Sequence, residues 1–334
     1  MLNVGVVQML AAPLRVGENL ALAERCIERA VGEGAQLVVL PEMFNVGFYV
    51  GEELMTVAEE LDGRTVDWLK AQAARHGIYI TGSLYERFEG YFYNTMFMVG
   101  SDGSLQYYRK RNPTCQETTV WRRSDEPGPG IFETPFGRIG GVICFDSFAR
   151  ETFEGFKRSA VELVIIVALW GTTRPATRHP EMWLFANLLH RWSHLASEVV
   201  PLQYATELNV PTVFVNQAGT IRFPFPRPRF WPLPSRRDVA YDFWGSSNVR
   251  SASGEFLARA GKEETDFVKV VPVDVRQEDQ RPEASRVDIP PQYLNANYYF
   301  VQPPLQAKLF QEWCFRGFMG EYEARCARHQ LPIT

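Results

Sequence analysis

Residues 139–146 read IGGVICFD, a continuous apolar run that ends in cysteine, phenylalanine and aspartate. Residues 139–143 predict a buried strand, because an unbroken apolar run is typical of strands covered on both faces. Helical spacing of apolar residues follows at residues 149–159, so the stretch predicts a strand and then a helix. Such units are typical of α/β proteins, whose functional side chains lie where strands end.

Similar short runs recur along the chain. Further strands are predicted at residues 4–9, 37–40, 78–85, 93–99, 105–108, 163–169, 210–215, 243–249 and 267–273. Further helices are predicted at residues 18–31, 65–76 and 182–208. A turn at residues 101–103 (Ser-Asp-Gly) predicts a hairpin between two of the strands. We therefore expect an α/β fold with mixed rather than purely parallel β-sheets.

Two segments do not follow this alternation. Residues 221–237 (IRFPFPRPRFWPLPSRR) are rich in proline, arginine and aromatics, which argues against a helix or a central strand. They predict a long loop, interpreted either as a lid or oligomer contact or as a solvated loop held by its prolines. Residues 276–334 predict a C-terminal extension, packed on its own domain or on a partner chain, after a main domain at residues 1–275.

The bulk composition excludes several classes of protein. Of the 334 residues, 46% are hydrophobic, which supports a sizeable core and argues against disorder. A formal net charge of −4 argues against a dedicated nucleic-acid binder. We expect neither a membrane helix, which needs roughly 20 apolar residues, nor a secretory signal. The 5 cysteines form no CxxC pair, which indicates a reducing compartment, and we expect the cytoplasm.

Three polar residues lie at the ends of predicted strands. Cys144 precedes a helix, whose positive dipole and free N–H groups lower the pKa of a thiol. Glu42 follows another strand across Pro41, and Lys110 follows a third. Taken singly, each has a plainer interpretation: a structural cysteine, a solvated loop glutamate and a solvated basic cluster.

His190 and His194 are spaced as in zinc-binding helices. Position 191 is an arginine, however, where a metalloprotease needs its glutamate base. We therefore predict neither a metal site nor another cofactor.

The strand-end segments together resemble the nitrilase superfamily of carbon–nitrogen hydrolases, whose members carry a Glu–Lys–Cys triad in that order. Residues 40–42 resemble the glutamate motif, residues 108–110 the lysine motif and residues 143–146 the cysteine motif. Glu151 stands where a glutamate usually follows the cysteine. The resemblance runs from residue 3 to about residue 273.

This resemblance implies a four-layer α-β-β-α sandwich whose subunits pair as a homodimer or a higher homo-oligomer. It implies that Glu42 acts as general base and Cys144 as nucleophile, while Lys110 and the backbone N–H of Phe145 stabilise the oxyanion. Glu117 matches a second glutamate of the family, which orients the lysine or the substrate. The implied reaction is hydrolysis of a carbon–nitrogen bond in a small molecule through a thioester.

The residues after the nucleophile favour an amide over a nitrile as the substrate. True nitrilases commonly carry Trp-Glu after the cysteine, whereas this chain has Phe145-Asp146, closer to amidases and carbamoyl hydrolases. An N-carbamoyl hydrolase, a nitrilase and an amide-forming acyl transferase are the alternatives within enzymes. A non-catalytic binding subunit is the alternative outside them.

We expect Phe145, Phe148 and Trp170 to bind an apolar or aromatic part of the substrate. Phe148 stands where several small-acid amidases of the family carry an arginine, which disfavours their dicarboxylate monoamide substrates. In the alternative interpretation, Phe148 only packs in the core. Asn216 lies in a segment, residues 215–219, that resembles a later block of the family, and we expect it to bind substrate as well.

Overall fold

The computed structural model describes residues 1–114, 117–173, 196–224 and 238–275. Its helices are α1 (Val16–Gly32), α2 (Arg64–His76), α3 (Arg150–Arg158) and α4 (residues 196–208). Its strands are β1 (Leu2–Met9), β2 (Leu37–Val39), β3 (Tyr79–Phe88), β4 (Tyr91–Val99), β5 (Leu105–Arg109), β6 (Gly130–Thr134), β7 (Gly137–Ile143), β8 (Leu163–Ala168), β9 (Gly171–Thr173), β10 (Thr212–Asn216), β11 (Ala218–Pro224), β12 (Asp238–Trp244), β13 (Asn248–Arg250), β14 (Phe256–Arg259) and β15 (Asp266–Val273).

Two six-stranded sheets form the centre of the described structure. The first has the order β15-β1-β2-β3-β4-β5, and the second has the order β14-β13-β10-β8-β7-β6. Strands β1, β2 and β3 run parallel, as do β7, β8 and β10. Antiparallel pairs complete each sheet, among them the predicted hairpin of β4 and β5. The prediction of mixed sheets is confirmed.

Helices cover the outer face of each sheet. On the first sheet, Leu20 of α1 and Leu69 of α2 share a core with Val38 of β2. The next residue of that strand, Val39, points to the opposite face because side chains alternate along a strand. Val39 belongs to a second core, which includes β7, β8 and Phe156 of α3. The layers are therefore those of the α-β-β-α sandwich that the resemblance implies.

The prediction of one strand at residues 243–249 is wrong, because two strands occupy the segment. β12 belongs to a three-stranded sheet and β13 to the second six-stranded sheet. Between them, Gly245 and Ser246 have φ angles of +52° and +58°, in the left-handed region that a strand does not use. A distant contact supports this turn, since the N–H of Gly245 donates to the carbonyl of Gln217 at 2.9 Å.

The loop predicted at residues 221–237 begins as a strand. Residues 221–224 complete β11, which pairs with β12 in the sheet of order β11-β12-β9. β11 is an edge strand, and sheet edges tolerate proline because they leave N–H groups unpaired. Residues 225–237 lie outside the described residues, so the lid and contact hypotheses stay predictions.

Several other predictions fall wholly or partly outside the described residues. They concern residues 182–195 of the predicted long helix, the pair His190 and His194, and the extension at residues 276–334. Among the described residues, no helix combines the length and apolar character needed to span a membrane.

Candidate active site

The ends of three strands bring the predicted triad together. Glu42 comes shortly after β2, Lys110 directly after β5 and Cys144 directly after β7. Glu42 and Lys110 are 0% exposed, and Cys144 and Glu117 are also buried. Charged side chains are buried only where partners compensate them. The solvated interpretations of Glu42 and Lys110 are therefore wrong.

Lys110 joins two carboxylates. Its Nζ donates to Oε1 of Glu42 and to Oε1 of Glu117, each at 2.9 Å. The backbone N–H of Thr114 donates to Oε2 of Glu117 at 2.6 Å, which orients that carboxylate. Nζ of Lys110 also lies 2.9 Å from Oε2 of Glu117, so both oxygens of that carboxylate face the ammonium. With one of its three N–H donors directed to each carboxylate, the ammonium keeps one donor for a further acceptor.

The carboxylate of Glu42 is held so that one oxygen stays available. Asn94 Nδ2 donates to Oε1 at 2.6 Å, and Ser83 Oγ donates to Oδ1 of Asn94 at 2.8 Å. Gln217 Nε2 donates to the backbone carbonyl of Glu42 at 2.9 Å. Oε2 of Glu42 is buried and has no hydrogen-bond partner among the described residues. A buried carboxylate oxygen normally has a partner, so this atom is positioned to accept a proton.

Cys144 begins a short 3-10 helix, Cys144–Phe148, rather than the α-helix that comes after it. Its φ of +50° lies in the left-handed region, which costs a residue with a side chain about 1–2 kcal/mol. Cys144 Sγ and a carboxylate oxygen from each of Glu42 and Glu117 lie within 4.8 Å of one another. Such a trio has the donor chemistry of a metal site, but Lys110 already supplies a cation to both carboxylates.

Burial and neighbouring charges together set the pKa values of Glu42 and Lys110. Burial raises the pKa of Glu42 to about 7; Glu117 adds to the rise, while Lys110 opposes it. Burial by itself would lower the pKa of Lys110, but the negative charges of Cys144, once it is ionised, and of Glu117 and Glu42 hold that pKa well above its usual value. Near neutral pH the lysine is therefore a cation, and Glu42 is poised to exchange a proton.

The thiol behaves differently from the sequence prediction. Burial raises the pKa of Cys144 well above its ordinary value, and the charges of Glu42 and Glu117 add to this rise. Lys110 and a hydrogen bond from the backbone of Leu169 oppose the rise without reversing it. The predicted lowering of the thiol pKa is wrong for the resting site, because desolvation and two carboxylates outweigh the local N–H groups. Cys144 needs a base to become a nucleophile.

Three aromatic side chains form a cluster next to the nucleophile, in which Phe148 stacks on Trp170 and Phe145 is tilted against Phe148. The ring centroids of Phe145 and Phe148 are 5.4 Å apart, and those of Phe148 and Trp170 are 5.6 Å apart. Phe145 and Phe148 are half-buried, whereas Trp170 is buried. All three also contact the central core, so the geometry is compatible with a substrate wall and with core packing of Phe148.

Asn216 is buried, and its amide is bonded to backbone. Its Oδ1 accepts from the N–H of Trp170 at 2.9 Å, and its Nδ2 donates to the carbonyls of Trp170 and Gly245 at 3.0 and 3.1 Å. Both N–H donors are therefore engaged. This geometry favours a role in positioning Trp170 over direct contact with a substrate.

Sequence reasoning missed three polar residues that organise the site, namely Asn94, Gln217 and Asp146. The first two hold Glu42, and the third accepts hydrogen bonds from the turn after Lys110. Asp146 is part of the cysteine motif in the sequence. Its contact with the turn after Lys110 can be recognised only from distances between segments that are remote in sequence. Glu151, in contrast, is exposed on α3 and does not join the cluster.

Comparisons with known proteins show the family of this chain. The family model described as carbon-nitrogen hydrolase matches residues 3–281. The chain is 29% identical over 273 residues to omega-amidase NIT2 of Xenopus tropicalis, covering 79% of this chain and 86% of the relative. It is 28% identical over 278 residues to a nitrilase of Pyrococcus abyssi, covering 82% of this chain and 90% of the relative.

Solved structures share the fold. An amidase from Nesterenkonia sp. AN1 superposes with a TM-score of 0.61 at 17% identity, covering 89% of this chain and 100% of that chain. A CN-hydrolase superfamily protein from Xanthomonas campestris superposes with a TM-score of 0.60 at 23% identity, covering 81% of this chain and 90% of that chain. Since the family model spans most of the sequence, the chain belongs to the carbon-nitrogen hydrolase family, whose members hydrolyse carbon–nitrogen bonds other than peptide bonds.

Proposed function

We propose that this protein hydrolyses a linear amide of a small molecule to a carboxylic acid and ammonia or an amine, through a thioester on Cys144. One observation carries the proposal: Lys110 Nζ lies 2.9 Å from both Glu42 and Glu117, and Cys144 Sγ lies within 4.8 Å of the same carboxylates. A base, a cation and a nucleophile thus share one buried site, as acyl transfer requires.

The first half of the reaction begins with the thiol proton. Oε2 of Glu42 takes this proton, and Sγ of Cys144 attacks the amide carbon as the carbonyl π electrons move onto oxygen. The resulting oxyanion accepts hydrogen bonds from the third N–H of Lys110 and from the backbone N–H of Phe145. Phe145 lies in the first turn of a 3-10 helix, where N–H groups have no partner within the helix.

Collapse of the tetrahedral intermediate completes acylation. The carbonyl reforms, the carbon–nitrogen bond breaks, and the nitrogen leaves with the proton held by Glu42. In the second half, Glu42 takes a proton from water, the hydroxide attacks the thioester, and the departing sulfur regains a proton from Glu42. A pKa of about 7 suits Glu42 to both directions of transfer near neutral pH.

The aromatic cluster supports an apolar or aromatic acyl group. Phe145, Phe148 and Trp170 offer adjoining ring faces next to Cys144. Arg150, the nearest arginine in sequence after the nucleophile, is exposed on α3 and lies 3.8 Å from Glu154. This arrangement supports uncharged amides ahead of dicarboxylate monoamides.

The named relatives include both an amidase and a nitrilase, so the choice of an amide rests on Phe145-Asp146 after the nucleophile. A panel of linear amides, N-carbamoyl amino acids and nitriles, assayed for ammonia release, tests this choice. We expect the highest kcat/KM for an uncharged amide. A larger kcat/KM for a nitrile or a ureido acid contradicts the amide assignment, and acyl transfer appears as conjugate formed with an added amine.

Cys144→Ala is the control for the mechanism itself. Loss of the nucleophile is expected to reduce turnover by several orders of magnitude, on the order of 10⁶-fold in a comparable case. Cys26→Ala is the matched variant, because Cys26 is a buried cysteine on α1 away from the triad. Equal activity of the two variants contradicts the thioester mechanism, whereas a wild-type protein that turns over no compound of the panel supports a binding subunit. We also propose a homodimer or a larger homo-oligomer, which light scattering after size-exclusion chromatography measures directly.

A further inference from the structure

The buried carboxylate of Asp146 has no role in the proposed reaction, although it lies two residues after the nucleophile. It is 0% exposed and accepts four hydrogen bonds. Oδ2 accepts from the hydroxyl of Tyr108 at 2.9 Å and from the N–H of Arg111 at 3.3 Å. Oδ1 accepts from the N–H and from Nδ2 of Asn112, at 2.6 and 2.8 Å.

These donors all come from the residues that flank Lys110. Tyr108 precedes the lysine by two residues, and Arg111 and Asn112 directly follow it. Asp146 itself belongs to the 3-10 helix that Cys144 begins. One side chain therefore fastens the lysine segment to the cysteine segment, across 34 to 38 residues of sequence.

A carboxylate matches this contact better than an amide does. An ionised carboxylate has about four acceptor positions and no donor, which matches four converging donors. An amide in the same place would present an NH₂ group to one of the two donor pairs, whichever way it turned. Burial of the carboxylate charge is costly, and the four hydrogen bonds offset that free-energy cost.

We propose that Asp146 is a positioning residue, which sets the separation between the Lys110 ammonium and the Cys144 sulfur by docking the lysine turn on the cysteine turn. The proposal rests on the proposed function only in that Lys110 and Cys144 act together. Reacting groups displaced by about 1 Å can lose about 10²-fold in rate. Asp146→Asn is therefore expected to lower kcat about 10²-fold and to change KM much less.

The rate of Cys144 alkylation by iodoacetamide, followed against pH by peptide mapping, separates positioning from simple stabilisation. Lys110 lowers the pKa of the thiol, so displacement of its ammonium raises the apparent pKa of alkylation. Removal of the Asp146 charge without displacement would leave that pKa in place or lower it, because a nearby negative charge disfavours a thiolate. Only displacement of the ammonium therefore predicts a rise in the apparent pKa of alkylation.

Glu86→Gln is the matched control. Glu86 is also buried, and it accepts hydrogen bonds from Arg109 and Thr95 beside the same lysine, yet it bonds to nothing on the cysteine turn. We expect this variant to lower Tm without moving the alkylation profile. An Asp146→Asn protein that alkylates with the wild-type pH profile and loses no more kcat than Glu86→Gln overturns the proposal.

Two milder variants keep the test decisive if Asp146→Asn does not fold. Tyr108→Phe and Asn112→Ala each remove one side-chain donor and leave the carboxylate in place. Each is expected to shift the alkylation profile in the same direction, by a smaller amount. Unchanged profiles in both overturn the proposal. Alkylation needs no substrate, so this result stands apart from a failure of the amidase assignment.

Discussion

Lys110 Nζ lies 2.9 Å from Glu42 Oε1, and both side chains are entirely removed from solvent. A buried ion pair is costly to assemble, but removal of one partner costs more, because the other charge is left uncompensated. The position of the Glu42 carboxylate, the proposed general base, therefore depends on the shape of the cation as well as on its charge. A compact ammonium fits between two carboxylates, whereas a guanidinium is a wide planar fork.

Lys110→Arg is expected to abolish measurable turnover although it keeps the charge. The guanidinium displaces Glu42 or Glu117 and cannot place a single donor at the oxyanion, and loss of one such donor costs about 10²–10³-fold. The measurement is kcat/KM on the best amide of the panel. Lys157→Arg, at an exposed position on α3, is the control and should behave as wild type. Wild-type rates in both variants would contradict the assigned role of Lys110.

The pH dependence of kcat/KM should report Glu42. Its pKa is raised to about 7, and the base acts in its ionised form, so activity is present above that pH and falls as the pH drops through it. The charge of Glu117 contributes to the raised pKa. Glu117→Gln is therefore expected to move the acidic limb to lower pH while reducing the maximal rate.

Glu126→Gln is the control for this titration, because Glu126 is a half-exposed carboxylate paired with Arg109. Its acidic limb should coincide with that of the wild type. An acidic limb in Glu117→Gln that stays in place or moves to higher pH would show that Glu42 is not the titrating base.

The left-handed backbone at Cys144 predicts a conflict between stability and activity. A glycine adopts the φ of +50° without steric cost, so Cys144→Gly should be more stable than Cys144→Ala by about 1 kcal/mol. Both variants lack the nucleophile and should be inactive. The free energy of unfolding, measured with denaturant, decides the order.

The same two substitutions at Cys26 should give the opposite order of stability, with alanine more stable than glycine. Cys26 lies inside α1, where glycine costs about 1 kcal/mol relative to alanine. If glycine is the less stable variant at both positions, Cys144 does not have the strained backbone described above.

Phe148→Ala should distinguish a substrate contact from core packing. If Phe148 binds the acyl group, KM for apolar amides rises about 10- to 200-fold, which corresponds to the 1–3 kcal/mol of a lost apolar contact. Phe136→Ala is the matched control, since Phe136 is half-buried against the same core and pairs with Tyr79 at 5.3 Å. Equal losses of stability with unchanged KM in both variants would assign Phe148 to the core.

Much of the sandwich follows from local sequence signals. Unbroken apolar runs such as residues 163–169 predict buried strands, and Gly77 correctly marks the end of α2. Strands β6, β9, β11 and β14 were not predicted, because they are short or lie at sheet edges with weak patterns. The division of residues 243–249 was missed because partners elsewhere in the chain support the left-handed turn at Gly245.

The sequence by itself determined the α/β fold class, because unbroken apolar runs predict most of its strands. Its resemblance to the family, added to the position of Glu42, Lys110 and Cys144 after such strands, predicted the triad. Only the tertiary structure decided the chemical state of these groups. Burial and the approach of Glu42 and Glu117 raise the pKa of Cys144, which reverses the local prediction made from a helix start. Charge interactions depend on distance through space and on removal of water, and neither is encoded in the spacing of residues along the chain.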